Sequence, residues 1–234
     1  MGALEEILRR HPVWRGGAPA QAGPALPSGF VLLDAELPGG GWPCQGLTEL
    51  LADDTGIGEL ALVLPAFASL TGSGKRAIWI APPHVPYAPA LAACGVDLAN
   101  LLIVQPAGRR QALWATEQAL RAGSCHALAA WLPQARYAEL QRLAVAAQAS
   151  RSIAFIFRPL AAGAESSPAC LRLALEPAGA ALAVHLLKRR GSPLPAPLSL
   201  PLERPFHVMG RASFSKSAGD ESRTARRLGL PVHA

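Results

Sequence analysis

The sequence predicts an α/β domain: a mostly parallel β-sheet flanked by helices, with an antiparallel hairpin at one edge, towards the C-terminal end. Five short runs of almost continuous apolar residues are typical of strands that are buried on both faces. Segments with helical periodicity separate these runs, and two later β-rich runs follow each other closely. The length of 234 residues and the hydrophobic content of 50% suit one such domain with modest extensions.

Strands and helices alternate through the centre of the chain. The predicted strands are LTELL (47–51), AIWIA (77–81), LLIVQ (101–105), HALAAWL (126–132) and IAFIF (153–157). The predicted helices between them cover 59–70, 87–94, 110–122 and 135–149. Because each helix returns the chain to the same end of the sheet, this alternation predicts parallel strands. The hairpin is predicted from CLRLALEP (170–177) and ALAVHLLKRR (181–190).

Both ends of the chain differ from this central pattern. Residues 1–25 are predicted to hold a short amphipathic helix and a Pro/Gly/Ala linker, and residues 26–191 form the core. In residues 192–234, proline recurs too often for a central strand or a helix, and the sequence then becomes small, polar and basic. That composition predicts a Pro-rich segment followed by a disordered tail.

The net charge of +6 is concentrated near the C-terminal end. From Lys188 onward the chain has nine basic and three acidic side chains, whereas the preceding residues are balanced. A basic tail favours contact with nucleic acid or with an acidic protein. A purely solubilising role is the alternative that charge alone leaves open.

The sequence predicts no metal site and no membrane segment. It has no run of about 18 uncharged apolar residues, and its first residues are charged where a signal peptide is apolar. We therefore expect a cytoplasmic location. The cysteines lie far apart and lack the spacing of zinc ligands, so reduced thiols are expected at Cys44, Cys94, Cys125 and Cys170.

Three stretches of the chain resemble the bacterial recombinase RecA. They are LPSGFVLLDAELPGGGWPCQGLTELLA (26–52), AIWIAPPHVPYAPALAACGVDLANLLIVQP (77–106) and the final pair of predicted strands, which ends in LKRRG. The resemblance implies a RecA-like core. The chain is also similar to the ImuA family, RecA-like accessory proteins of bacterial translesion DNA synthesis, in its size, its reduced ATPase motifs and its Pro-rich segment followed by a basic tail.

The recombinase pattern places a phosphate-binding loop after LTELL, where this chain reads ADDTGIGEL (52–60). Gly58 falls at the position of the lysine that binds phosphate, and Glu59 at that of the Ser/Thr that binds Mg²⁺. Asp53 and Asp54 add carboxylates, whose charge repels a triphosphate. The glycines at Gly56 and Gly58 are explained by the tight geometry of a turn. The sequence therefore predicts a degenerate loop that binds no cofactor.

Other positions needed for ATP hydrolysis also differ from the recombinase pattern. The catalytic glutamate falls on Pro83, which has no proton to exchange. The aspartate that supports Mg²⁺ falls on Trp131, which offers no oxygen ligand. The residue that senses the γ-phosphate falls on Arg158 or Pro159. We therefore expect no catalytic residue and no enzymatic activity.

The ImuA resemblance implies a non-catalytic accessory factor in SOS-induced, error-prone translesion synthesis. Its implied partners are the polymerase-like protein ImuB, an error-prone DnaE-type polymerase and RecA. Two alternatives stay open. One is a RecA-like, ATP-dependent DNA-binding protein, and the other is a SulA-type cell-division inhibitor that binds the tubulin-like division protein.

Partner contacts are predicted at the two ends of the chain. Leu4, Ile7 and Leu8 form a narrow apolar stripe on the helix predicted over residues 3–11, which suits a groove on a RecA-type protomer. The basic tail, with its apolar neighbour, is expected to contact the polymerase-like partner, and weak, salt-sensitive DNA binding by the tail stays open. The tail residues concerned are Arg223, Arg226, Arg227 and Leu228.

Overall fold

The computed structural model describes residues 23–189, 194 and 196–202. Within this part of the chain the strands are β1 (Ala25–Leu26), β2 (Trp42–Pro43), β3 (Gly46–Leu51), β4 (Ala77–Ile80), β5 (Leu101–Val104), β6 (Ala127–Trp131), β7 (Ile153–Arg158), β8 (Leu171–Ala178), β9 (Ala181–Lys188) and β10 (Leu198–Pro201). The helices are α1 (Val31–Glu36), α2 (Glu59–Gly72), α3 (Ala88–Ala93), α4 (Arg109–Arg121) and α5 (Tyr137–Ser150). Short 3₁₀ turns cover Leu98–Asn100 and Leu160–Ala164.

Eight strands form one sheet, in the spatial order β10-β9-β8-β3-β7-β6-β4-β5. The strands from β8 to β5 in that order run parallel to one another. β9 is antiparallel to β8, and β10 is antiparallel to β9. The α/β class, the mainly parallel sheet and the C-terminal hairpin predicted from the sequence are therefore confirmed.

Each face of the sheet is covered by its own set of helices. Helices α2 and α3 pack on one face, where Phe67, Trp79 and Phe155 are fully buried. Helices α4 and α5 cover the other face, with Leu128 and Leu143 at the centre of that layer. Burial on both faces explains why the central strands read as continuous apolar runs rather than as alternating ones.

Strand β10 is a difference from the sequence-based prediction, which ended the core at residue 191. Residues 198–201 pair with β9 and form the outer edge of the sheet. The edge position accommodates the prolines of this segment, because an edge strand needs hydrogen bonds on one side only. Leu200 is fully buried on this strand, so burial of apolar area offsets the cost of ordering it.

The helix predicted over residues 3–11 and the tail from residue 203 onward lie outside the described residues. Among the described residues, no helix is both long and apolar enough to cross a membrane.

A buried ion network joins three neighbouring strands. The carboxylate of Glu49, on β3, accepts hydrogen bonds from Arg158 of β7 at 3.0 Å and from Arg172 of β8 at 2.5 Å. The two guanidinium groups also donate to backbone carbonyls, including those of Ala135 and Ala162. Because all three side chains are removed from water, each charge depends on the others for compensation.

We expect Glu49→Gln to lower the free energy of unfolding by about 3–5 kcal/mol, because it leaves the buried guanidinium of Arg172 without its carboxylate partner and that of Arg158 with only the exposed Glu165. Denaturant titration followed by circular dichroism measures the loss. Arg121→Gln is the matched control: it removes an exposed ion pair with Glu117 and should cost less than about 1 kcal/mol. Equal losses in the two variants would contradict this account of the network.

Candidate functional site

The loops that follow β3, β4, β6 and β7 meet at the carboxyl edge of the sheet. Strands β4 and β6 are neighbours, but the helices that follow them, α3 and α5, lie on opposite faces. In open α/β sheets, a crevice forms where connections diverge in this way, and ligands bind there. The degenerate loop predicted from the sequence lies at this edge.

The loop between β3 and α2 carries its own anion. The side chain of Glu59, the first residue of α2, accepts hydrogen bonds from the backbone N–H groups of Gly56 at 2.9 Å and Gly58 at 3.2 Å. Glu59 is 6% exposed, so this carboxylate is enclosed by the loop. Backbone N–H groups at a helix N-terminus are the donors that a phosphate-binding loop offers to phosphate. In this chain those donors are occupied by a carboxylate.

Gly58 is required by both conformation and space. Its φ of +111° lies in the left-handed region, which favours glycine. A Cβ atom at this position would lie 2.0 Å from Cδ1 of Leu202, the residue that follows β10. A lysine in place of Gly58 would therefore require the Leu202 side chain to move, since Leu202 lies over the position where a phosphate-binding lysine would stand.

The remaining polar residues of the loop are used in different ways. Asp53 accepts a hydrogen bond from the N–H of Leu160 at 3.0 Å, which ties the loop to the 3₁₀ turn. The hydroxyl of Thr55 lies 3.2 Å from Nε2 of His84, in the loop after β4. Asp54 is exposed. The structure therefore brings the predicted loop residues together in a turn that is held by hydrogen bonds within the chain.

The residues at the other ATPase positions lie at the same edge. Pro83 is exposed in the loop after β4, and the indole of Trp131 stacks on Phe157 with centroids 4.6 Å apart and planes 6° apart. Arg158 is held by Glu49 and Glu165 inside the protein. None of these side chains supplies the oxygen ligand or base that the corresponding ATPase positions need.

An apolar cavity of about 510 Å³ occupies this edge of the sheet. Its floor includes Trp131 and Phe157, and its walls include Pro83, Leu113 and Leu132. The sequence did not lead us to predict this cavity. The available signal was the recurrence of a proline just after each of four parallel strands, together with aromatic residues at the ends of two of them.

The described residues contain no group of three or more His, Cys, Asp or Glu side chains that could hold a metal ion. The buried thiol of Cys125 lies before β6, at the amino end of that strand. Burial raises the pKa of Cys125 to about 12, so its thiolate is scarce near neutral pH and it is a poor nucleophile. The residues predicted to contact partners, Leu4, Ile7, Leu8, Arg223, Arg226, Arg227 and Leu228, lie outside the described residues and stay predictions.

The contact between Leu202 and the loop can be tested with two glycines. Both Gly56 and Gly58 have positive φ, but only Gly58 would place a Cβ against another residue. We expect Gly58→Ala to destabilise the protein by about 1 kcal/mol more than Gly56→Ala, and we expect Leu202→Ala to remove the part of that difference that comes from the contact rather than from the larger φ of Gly58. Denaturant titration of the single and double variants measures these values. A difference unaffected by Leu202→Ala would contradict the contact.

We expect ATP with Mg²⁺ neither to bind tightly nor to be hydrolysed, because the loop donors are occupied and the surrounding carboxylates repel phosphate. Calorimetry should give a Kd weaker than about 100 μM, which corresponds to ~5.5 kcal/mol. The double variant Gly58→Lys/Glu59→Thr should not restore binding while Leu202 remains. Tight binding by the wild-type chain would overturn this reading of the loop.

Parts of this chain are similar in sequence to known proteins of two kinds, SulA and RecA. The family described as cell division inhibitor SulA matches residues 47–154, which run from β3 into β7. The cell division inhibitor SulA of Edwardsiella piscicida is 39% identical over 101 residues, or 43% of this chain and 60% of that protein. RecA of Acholeplasma laidlawii is 35% identical over 122 residues, or 49% of this chain and 36% of that protein.

The chain thus spans less than two thirds of the length of either of these relatives. Among solved structures, SulA from Pseudomonas aeruginosa is 25% identical and aligns with 48% of this chain and 97% of its own, with a TM-score of 0.41. An overlap at that TM-score supports no conclusion about fold.

The resemblance to RecA noted in the sequence is confirmed as homology. The more specific resemblance to ImuA is not confirmed. The predicted role as an accessory factor of translesion synthesis is contradicted, because the matching family and the relative from Edwardsiella piscicida are cell division inhibitors. The chain is therefore similar to RecA over about half of its length, and its residues 47–154 match the SulA family.

Proposed function

We propose that this protein is a non-catalytic inhibitor of cell division of the SulA type, which acts through protein contacts in the response to DNA damage. The observation that carries the proposal is the match to the SulA family across residues 47–154. That stretch contains the loop, Pro83 and Trp131, so the match and the degenerate site fall on the same part of the chain. The 39% identity to SulA of Edwardsiella piscicida adds support over a similar length.

The chemistry of the edge supports a binding role over a catalytic one. A RecA-like ATPase needs loop donors that are free for phosphate, a base that activates water and an oxygen ligand for Mg²⁺. Here the loop donors bind Glu59, and the other two positions hold Pro83 and Trp131. The alternative of an ATP-dependent DNA-binding protein therefore has less support than inhibition by binding.

A RecA-like core that undergoes no nucleotide-driven conformational change suits an inhibitor, because it supplies a rigid binding surface. The Glu49 network and the two-sided core hold the carboxyl edge in one geometry. Rigid surfaces lose little conformational entropy when they bind. The target in this proposal is the tubulin-like division protein, bound in a way that blocks its assembly.

We expect controlled expression of the full chain in a bacterial host to produce filamentous cells, because cells that grow without dividing become longer. Cell length is measured by microscopy, and protein level by immunoblot. Light scattering by the purified tubulin-like division protein should also fall when this chain is added. Glu49→Gln, which is expected to unfold more readily, serves as the control for effects of overexpression alone.

Cells of normal length at a confirmed level of folded protein, together with unchanged assembly of the division protein, would contradict the proposal. Equal filamentation with Glu49→Gln, at a temperature where circular dichroism shows this variant to be unfolded and the wild type to be folded, would also count against it, because the effect would then not require the folded surface.

A further inference from the structure

The polar groups that line the cavity are almost all bonded within the chain. Arg109 donates to the carbonyl of Gln134 and to the carboxylate of Glu139, while Arg158 is bonded to Glu49 and Glu165. The Glu59 carboxylate is bonded to the loop, as described above. A ligand rich in phosphate would therefore meet carboxylates and no uncommitted cation in this cavity.

Asp54 differs from the other charged groups of the lining. It is exposed, and within the described residues it has no hydrogen-bond or ion-pair partner. Its charge lies beside the loop, next to a cavity whose other charges are already compensated. An occupant that carries a positive charge at this side of the cavity would therefore be favoured.

The interior of the cavity is suited to a large apolar side chain. Trp131 presents a ring that is fixed by stacking on Phe157 and by an edge contact with Trp79, with centroids 5.7 Å apart. Several wall residues are prolines, which have little conformational entropy to lose when a ligand binds. A volume of about 510 Å³ lies within the range of ligand-binding pockets and exceeds what one aromatic side chain requires.

We propose that this cavity binds an aromatic side chain of a protein partner, presented on a segment that carries a Lys or Arg beside the aromatic residue. The aromatic ring would pack on Trp131, and the cation would pair with Asp54. Buried aromatic anchors in apolar pockets supply much of the affinity of protein interfaces. The inference rests on the proposed function in one respect: both take protein contact as the mode of action. It does not depend on the identity of the partner.

The probes are two capped tetrapeptides, acetyl-Ala-Lys-Trp-Ala-amide and acetyl-Ala-Glu-Trp-Ala-amide, together with free indole. The indole N–H resonance of Trp131 in the full chain is followed by NMR and assigned with Trp131→Phe. We expect the lysine peptide to shift this resonance and to bind about threefold tighter than the glutamate peptide. In Asp54→Asn, the two peptides should bind equally.

Pro83→Phe places a ring at the wall of the cavity and should weaken the lysine peptide by about tenfold. Val85→Phe is the matched control, because Val85 lies in the same loop, is 89% exposed and does not line the cavity. It should bind the peptide as the wild type does. Circular dichroism confirms that both variants are folded.

Three results would overturn the proposal. One is the absence of a Trp131 shift at about 10 mM peptide, since a Kd of 1 mM already corresponds to only ~4 kcal/mol. Another is unchanged binding in Pro83→Phe. The third is binding of free indole as tight as that of the lysine peptide, which would indicate a small-molecule pocket.

Different results would contradict the proposed function and the proposed peptide site. If Pro83→Phe still produces filamentous cells, the cavity is not the surface used in division arrest, and the proposed function stands without this site. If the wild-type chain leaves cell length unchanged but binds the lysine peptide at Trp131, the cavity stands as a peptide site and the proposed function fails.

Discussion

The buried carboxylate of Glu49 is the interaction on which the rest of the structure depends. It lies on the central strand β3 and binds one guanidinium group from each neighbouring strand. A slip of either neighbour by one residue would turn its arginine to the opposite face and leave a charge buried without compensation. The network therefore fixes the register of β7, β3 and β8, and with it the edge from which the loops extend.

The chain is similar to RecA in sequence over about half of its length, but the residues at this edge offer different chemistry. Glu59 satisfies the loop donors, Leu202 covers the lysine position, and Trp131 turns a metal-binding position into an aromatic surface. These replacements fit together, since the N–H groups of Gly56 and Gly58 find in Glu59 the acceptor that a phosphate would otherwise supply. The outcome is an edge that suits apolar contact better than phosphate chemistry.

The central strands, the helices and the hairpin could be predicted because their signals are local: apolar runs, helical periodicity and short connections. The replaced ATPase positions could also be located, because the resemblance to RecA indicates which residues stand at them. Strand β10 was missed because its prolines argue against a strand unless the edge position is known. The contacts of Glu49 and Leu202 join residues that are distant in sequence, and no local pattern indicates them. The functional prediction relied on overall size, the reduced ATPase motifs and the C-terminal composition, which do not distinguish the ImuA family from the SulA family that matches residues 47–154.

Because the loop after β3 is covered by Leu202, the order of synthesis determines when the loop becomes covered. The loop and α2 leave the ribosome early, whereas Leu202 is added only after the last strand of the sheet. Because β3 pairs with β7 and β8, the loop reaches its folded geometry only after residue 178 is made, and at about 5–20 residues per second Leu202 follows roughly 1–5 seconds later. During that interval the Glu59 carboxylate alone occupies the loop donors. We expect this internal anion to disfavour nucleotide binding by the loop until the C-terminal strand is in place.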